Sequence, residues 1–298
     1  MRILLLGSGG QVGHELRRSL ALLGEVVALD HPAVDLGQPG SVAGIVAKSS
    51  PAVIVNAAAY TAVDRAEQEP GLVHAVNAES VDALARGAAA TGALLVHFST
   101  DYVYPGTGES PWVEGDQAGP LNAYGRTKLA GDEAIDRSGC RHVVLRTSWV
   151  YASRGRNFVR TILRLAAERD RLSVVDDQFG VPTAASFLAD VTARVLERHR
   201  NERNAPSGVF HAAPTGTTTW FGVARAVLER ARSRATGLKL AQDGLVPCAT
   251  AEYPSPAARP RNSRLSVDRL QREFGIRCPD WHEDLNRIVD ELTEGASA

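Results

Sequence analysis

An α/β fold, built on a doubly wound parallel sheet with a smaller α/β lobe at its C-terminal side, is predicted by two features. Short apolar runs alternate with longer stretches whose apolar residues recur near a 3.6-residue period. The runs Val53–Val55 and Leu94–Val96 are continuously apolar, as in strands covered on both faces. A chain of 298 residues has room for two domains. We place the first at 1–150 and the smaller lobe at 151–298, with segments near 172–200 returning to the first domain.

The individual elements follow from the same periodicities. Strands are predicted at Ile3–Leu6, Val26–Leu29, Ala52–Val55, Leu94–Phe98, Val143–Arg146 and Leu172–Val175. Helices are predicted at Val12–Leu23, Leu72–Thr91, Ala123–Arg137, Phe158–Glu168, Ser186–His199 and Asp284–Leu292. The proline-rich stretch 246–264 has little periodicity, which indicates an ordered loop over a site or a linker. The residues from Gly295 onward are expected to fray.

A glycine-rich turn directly follows the first predicted strand. Gly7, Gly10 and Gly13 allow a tight turn that brings backbone N–H groups and a helix N-terminus close to a pyrophosphate. The second strand ends at Asp30, where a carboxylate can bind the adenosine ribose; a plain turn residue is the alternative. This arrangement predicts a Rossmann-type dinucleotide site. Because Asp30 repels a 2′-phosphate, it favours NADH over NADPH, a preference that the neighbouring His31 softens.

Tyr124 and Lys128 carry the strongest chemical signal. They lie four residues apart in a predicted helix and therefore share one face. An ammonium beside a phenol favours the phenolate, so we expect a lowered Tyr124 pKa, in a range useful for proton transfer. Thr100 lies just past the strand Leu94–Phe98, at the sheet edge where ligands bind, and can hydrogen-bond the same carbonyl oxygen. Taken alone, a Ser-Thr-Asp run is more often a turn or a cap, but together the three residues indicate carbonyl reduction or alcohol oxidation.

Composition and charge argue against several other classes. The net charge of -1 lacks the basic surplus typical of nucleic-acid binding. No stretch approaches the roughly 20 apolar residues that span a bilayer, so no membrane partner is expected. Cys140, Cys248 and Cys278 are widely scattered and form neither a disulfide framework nor a metal site, which favours a reducing, cytoplasmic location.

Several segments together resemble the extended short-chain dehydrogenase/reductase family. They are residues 7–13, 55–64, 99–104, 124–131, 145–151 and 259–265. The glycine turn and the Tyr/Lys pair are common to the whole superfamily. The later segments resemble the branch that reduces the C4 ketone of dTDP-4-dehydro-L-rhamnose in nucleotide-sugar biosynthesis. The resemblance implies NADH or NADPH as hydride donor and a nucleotide sugar as the small-molecule partner, and it is compatible with a homodimer.

The resemblance also implies roles for single residues. Tyr124 would protonate the C4 oxygen, Lys128 would hold the nicotinamide ribose, and Thr100 would hydrogen-bond the carbonyl. Asp101 and Trp149 would contact the sugar, although core packing is the alternative for the tryptophan. Coenzyme contacts are implied for Gly10, Gln11, Val12, Asp30, Asp35, Leu36, Ala59, Tyr60, Thr61 and Phe98.

Asn157, Arg259 and Asn262 are candidates for the diphosphate of the substrate. A guanidinium group chelates phosphate oxygens, so Arg259 is chemically suited to this contact. Surface solvation is the alternative for each of the three.

A bound metal ion is not expected. The resemblance implies that some family members dimerise through magnesium held by three glutamates. Glu15 and Glu291 occupy matching positions here, but the third position is Ser186. Two exposed glutamates do not complete an octahedral magnesium site.

Two rival functions stay open at this stage. One is a related dTDP-4-keto-6-deoxyhexose reductase of different stereochemistry, since the sequence does not fix which sugar face meets the nicotinamide. The other is a non-catalytic, reductase-like regulatory subunit, because a fold alone does not settle a function. A phosphotransferase or a metal hydrolase is disfavoured, because no Gly-Lys-Ser/Thr follows the glycines and the histidines lack ligand spacing.

Overall fold

The apolar runs of the first half form a parallel sheet, and shorter strands follow in the second half. A computed structural model describes residues 1–234 and 237–294. Its strands are β1 (Arg2–Leu6), β2 (Glu25–Leu29), β3 (Val53–Asn56), β4 (Leu94–Thr100), β5 (His142–Thr147), β6 (Val150–Tyr151), β7 (Leu172–Val175), β8 (Phe179–Gly180), β9 (Thr183–Ala184), β10 (Gly208–His211), β11 (Thr218–Thr219) and β12 (Leu245–Cys248).

The helices are α1 (Gln11–Ala21), α2 (Pro39–Ser49), α3 (Val63–Ala66), α4 (Pro70–His74), α5 (Ser80–Thr91), α6 (Ala123–Arg137), α7 (Phe158–Glu168), α8 (Ala185–Asn201), α9 (Trp220–Ser233), α10 (Asp268–Phe274) and α11 (Trp281–Glu294). The predicted helices lie close to their observed positions, whereas α2, α3, α9 and α10 were not predicted. One π-helical turn, Ala75–Glu79, joins α4 to α5. The expectation for Gly295 onward lies outside the described residues.

The central sheet confirms the predicted fold class. Its strand order is β10-β5-β4-β3-β1-β2, and every pair in it is parallel. From β1 the chain moves outward to β2 and then returns to place β3 on the other side of β1. Such a reversal opens a crevice beyond the carboxyl ends of the two strands, where doubly wound folds bind their ligands.

Helices cover both faces of this sheet, which explains the continuously apolar strands. On one face, Ile3, Val55 and Val96 pack beneath α1 and α8. On the other face, Leu4 and Ile54 pack beneath α2, α5 and α6. Alternate residues of each strand therefore enter different cores, and both sets have to be apolar.

The second half divides between the central sheet and a smaller lobe. We expected the segments near 172–200 to return to the first domain, and α8 does pack on α1. However, β7 pairs with β12 outside the central sheet, and β10 supplies the sixth central strand. The proline-rich stretch 246–264 includes the end of β12 and crosses back toward the first domain, where Arg259 pairs with Asp64. The boundary at residue 150 stays a prediction.

Candidate active site

The glycine turn closes the gap between β1 and α1. Gly7 adopts a φ of +74°, and a Cβ there would lie 2.6 Å from the backbone nitrogen of Ala58. A Cβ at Gly13 would overlap the carbonyl oxygen of Gly7, so the first turn of α1 can approach the strand only without a side chain. Gly10 is the N-cap of α1 and has an extended backbone. Since glycine has no side chain to accept a hydrogen bond, the first N–H groups of the helix have no side-chain cap.

A cavity of about 450 Å³ lies beyond the carboxyl ends of the central strands. It brings together eleven of the residues singled out from the sequence: Gly10, Gln11, Val12, Ala59, Thr61, Phe98, Thr100, Asp101, Tyr124, Lys128 and Trp149. These residues come from distant parts of the chain, and the topology of the sheet alone makes them neighbours.

The residues predicted near the adenosine lie at the end of β2 and in the loop behind it. Asp30 accepts the N–H of Gly9 at 2.8 Å, which ties the acidic residue to the glycine turn. Asp35 accepts the N–H of Gly37 at 2.8 Å within its own loop, and Leu36 is buried. Tyr60, which follows β3, donates its hydroxyl to Glu69 at 2.5 Å, and the cavity is lined by its neighbours Ala59 and Thr61.

Tyr124 is placed in the first turn of α6. The helix begins after Asn122, whose side chain accepts the N–H of Gly125 at 2.8 Å as an N-cap. Burial raises the pKa of the Tyr124 phenol, against a hydrogen bond to Thr100 that lowers it. The expected lowering of this pKa by Lys128 is therefore wrong, because a phenolate here would lose its water and would face the carboxylates of Asp101 and Asp132.

The amine of Lys128 points into the sheet. Its Nζ donates to the carbonyl oxygen of Phe98 at 2.6 Å and lies 2.9 Å from Nε2 of His97. The side chain is 1% exposed, and burial lowers its pKa to about 8, against the charge of Asp132, which raises it.

Thr100 and Asp101 lie where β4 ends. The Thr100 hydroxyl donates to Asp101 Oδ1 at 3.1 Å and accepts the N–H of Tyr102 at 3.2 Å. Asp101 is 2% exposed, and its Oδ2 has no hydrogen-bond partner among the described residues. Burial raises the pKa of this carboxyl to about 7, against the hydroxyls of Ser263 and Thr100, which lower it.

Trp149 is held in a strained conformation. Its φ is +47°, in the left-handed region that disfavours a bulky side chain. The indole stacks on Trp220 with ring centroids 3.9 Å apart, and Gly180 has no Cβ that would collide with it. The indole thus packs in the interior and also lines the cavity, and its contact with the sugar stays a prediction.

The three candidates for the diphosphate lie in different surroundings. Asn157 caps α7, and its Nδ2 donates to Gln11 at 2.8 Å, so it braces the glycine turn. Arg259 donates to Asp64 at 2.8 Å and lines a second cavity. The amide of Asn262 is buried, and it donates to the backbone carbonyls of residues 107 and 110. Binding of the diphosphate by Asn157, Arg259 and Asn262 stays a prediction, and the asparagine at 262 lines neither cavity.

The second cavity, of about 310 Å³, lies in the smaller lobe. Apolar side chains from α7 and β7 form its walls, and Gln178 and Arg259 add polar groups. Trp220 lines both cavities, so the two spaces adjoin at this indole.

Some polar residues at the site were missed by the sequence interpretation. His97 and Asn56 are fully buried in neighbouring strands and contact each other at 3.1 Å. Asn77, in the π-helical turn, donates to Thr127 of α6 at 3.3 Å. The only available signal was a polar residue inside an apolar run, as for His97 in Leu-Leu-Val-His-Phe.

Two of the residues compared with a magnesium site, Glu291 and Ser186, form other contacts. Arg287 donates to Glu291 and to the Ser186 hydroxyl, each at 2.7 Å. Within residues 1–234 and 237–294, no group of three His, Cys, Asp or Glu side chains is arranged to hold a metal ion. In the same ranges, no helix combines the length and apolar character needed to cross a membrane.

Comparison with known proteins agrees with the resemblance seen in the motifs. A family model described as "RmlD substrate binding domain" matches residues 1–294. The dTDP-4-dehydrorhamnose reductase of Shigella flexneri is 48% identical over 296 residues, covering 98% of each chain. A crystal structure of a dTDP-4-dehydrorhamnose reductase from Clostridium acetobutylicum has a TM-score of 0.89 at 34% identity, covering 98% of this chain and 99% of that one. The corresponding structure from Bacillus anthracis, in complex with NADP, has a TM-score of 0.87 at 31% identity, covering 97% and 99%.

Proposed function

Because this chain belongs to the RmlD substrate binding domain family, we propose that it reduces the C4 ketone of dTDP-4-dehydro-L-rhamnose to dTDP-L-rhamnose with hydride from NADH or NADPH. One observation carries the proposal: the start of α1 at the glycine turn and the phenol of Tyr124 line the same cavity. A carbonyl reduction needs hydride delivery and protonation to meet in one such space.

The turn between β1 and α1 fits a dinucleotide. Positions 7 and 13 leave no room for a Cβ, so backbone N–H groups can approach a pyrophosphate closely. Asp30 accepts the N–H of Gly9, and we assign its carboxylate to the adenosine ribose hydroxyls. The reduced nicotinamide, when bound, supplies the hydride, and the side chains of Val12 and Phe98 line the cavity where they can orient it.

Tyr124 then serves as the general acid. Burial raises its pKa, so the phenol carries its proton at neutral pH and can give it to the C4 oxygen. The hydroxyl of Thr100 and the Oδ2 of Asp101, which has no partner among the described residues, are the further polar groups offered to the sugar. Lys128 lines the same cavity, and we assign its amine to the hydroxyls of the nicotinamide ribose.

The second cavity is suited to the nucleotide end of the substrate. Its walls are largely apolar, as a flat pyrimidine base requires, and Arg259 lies at its edge to meet a diphosphate. The sugar would then lie against the indole of Trp149, which lines the first cavity and stacks on Trp220 where the two cavities adjoin.

A direct assay tests this function. Purified protein is mixed with dTDP-4-dehydro-L-rhamnose and NADH or NADPH, and the loss of absorbance of the reduced nicotinamide is followed. We expect turnover with a product that NMR identifies as dTDP-L-rhamnose. A product of the other C4 configuration would support the related reductase instead, and coenzyme binding without turnover would support a non-catalytic subunit.

A further inference from the structure

His97 connects the catalytic lysine of the proposed reaction to a buried asparagine. It lies on β4 with no exposed surface, and its two ring nitrogens face different partners. Nε2 lies 2.9 Å from Lys128 Nζ, and Nδ1 lies 3.1 Å from the side-chain amide of Asn56 on β3. None of the roles proposed above uses this imidazole.

The orientation of the Asn56 amide determines which ring nitrogen carries the proton. The Oδ1 of Asn56 accepts the N–H of Ala58 at 3.1 Å, so its Nδ2, which can only donate, faces the imidazole. Nδ1 of His97 must then accept, and the proton of the neutral ring lies on Nε2. Nε2–H is a donor, and it points at the amine of Lys128.

A neutral amine can accept this hydrogen bond, whereas an ammonium cannot, because an ammonium has donors only. The Phe98 carbonyl, at 2.6 Å, accepts from either form of Lys128. Nearby charge acts in the other direction: Asp132 on α6 favours the ammonium, and it is paired with Arg146 of β5 at 3.0 Å. From β3, Asn56 presents an uncharged side chain.

We propose that His97 is a positioning residue: with its tautomer fixed by Asn56, it holds the amine of Lys128 and favours the neutral form of that lysine. The proposal rests on the function proposed above, because Lys128 acts in that reaction. If it is correct, a change of the side chain that faces Nδ1 of His97 should shift the pH midpoint of kcat/KM.

The first test does not depend on activity. The ring nitrogens of His97 in ¹⁵N-histidine-labelled protein are observed by NMR at about pH 9, above the Lys128 midpoint of about 8. The resonances are assigned through nuclear Overhauser contacts to neighbouring side chains. We expect Nε2 to carry the proton and Nδ1 to accept; a proton on Nδ1 would overturn the proposal.

A second test changes the tautomer. In Asn56→Asp the carboxylate requires the proton on Nδ1, so Nε2 becomes an acceptor that favours the Lys128 ammonium. The pH midpoint of kcat/KM should then rise by about 1 pH unit. In the Asn56→Asp/His97→Leu double variant this rise should disappear relative to His97→Leu alone. Asn77→Asp, a buried carboxylate that does not touch His97, is the control for added charge.

The outcomes separate the two proposals. If Asn56→Asp shifts the pH midpoint equally in the wild-type and His97→Leu backgrounds, the added charge acts directly through space. That result would overturn the role of the imidazole. A wild-type protein without reductase activity would refute the proposed function alone, since the tautomer is still measured by NMR.

Discussion

Replacing Asp101 by asparagine should remove a pH-dependent loss of stability. Burial raises the pKa of this carboxyl from 3.8 to about 7, and at about 1.4 kcal/mol per pKa unit this difference corresponds to about 4 kcal/mol. The folded carboxyl holds its proton more tightly than the unfolded one. Its contribution to the free energy of unfolding is therefore complete below pH 3.8 and is lost as the pH rises through about 7. The amide of D101N has no proton to lose.

Urea unfolding of the wild type and D101N at about pH 4, 6 and 8 measures this effect. The free energy of unfolding of D101N, relative to wild type, should increase by up to about 4 kcal/mol across that range, with most of the change before about pH 7. A difference in the free energy of unfolding that is the same at every pH reflects the packing of the amide and not the ionisation of the carboxyl. Asp243→Asn, at an exposed position, is the matched control for the chemical exchange. Parallel pH profiles for wild type and D101N would refute the assignment of a desolvated carboxyl to this site.

The other predictions concern the coenzyme site and the general acid. Tyr124→Phe should lower kcat by a factor of at least about 100 and leave coenzyme affinity, measured by fluorescence titration, nearly unchanged; full activity would remove the phenol from the mechanism. Asp30→Ala should shift the ratio of kcat/KM values from NADH towards NADPH, because the repulsion of a 2′-phosphate is lost; an unchanged ratio would show that this carboxylate does not contact the ribose. Gly13→Ala should weaken coenzyme binding at least about 10-fold and destabilise the fold by about 1–3 kcal/mol, since its Cβ overlaps the Gly7 carbonyl. Gly40→Ala, where the Cβ meets open space, is the control and should keep full affinity.

Much of the fold could be predicted from the sequence because its signals are local. The strands β1 to β5 of the central sheet and the helices α6 and α7 follow from apolar periodicity and from turn residues at their ends. In contrast, α2 was missed, since its two glycines and small residues give little periodicity. The sixth strand, β10, is only four residues long and pairs with β5 across more than sixty residues of chain, so no local pattern reveals its place.

The site was predictable to the extent that topology alone places residues together. Gly10, Thr100 and Tyr124 each follow or begin an element at the carboxyl edge of the sheet, and the structure brings them to one cavity. The direction in which a side chain points at this edge of the sheet depends on tertiary packing, which cannot be read from the sequence. Asn262, for example, matches a motif of the family but turns its amide toward the backbone of a neighbouring loop.

Burial is the largest cause of the pKa shifts of both Tyr124 and Lys128. The i,i+4 spacing predicts that the two side chains share a face of α6, but it does not predict how deep each one lies. The amine contacts the Phe98 carbonyl and His97 in the interior, so it is desolvated and its pKa falls to about 8. The phenol is desolvated as well, and because its charged form is the anion, its pKa rises. A carbonyl reduction needs an acid that still carries its proton, so the burial that disfavours the phenolate keeps Tyr124 in the form that the proposed reaction consumes.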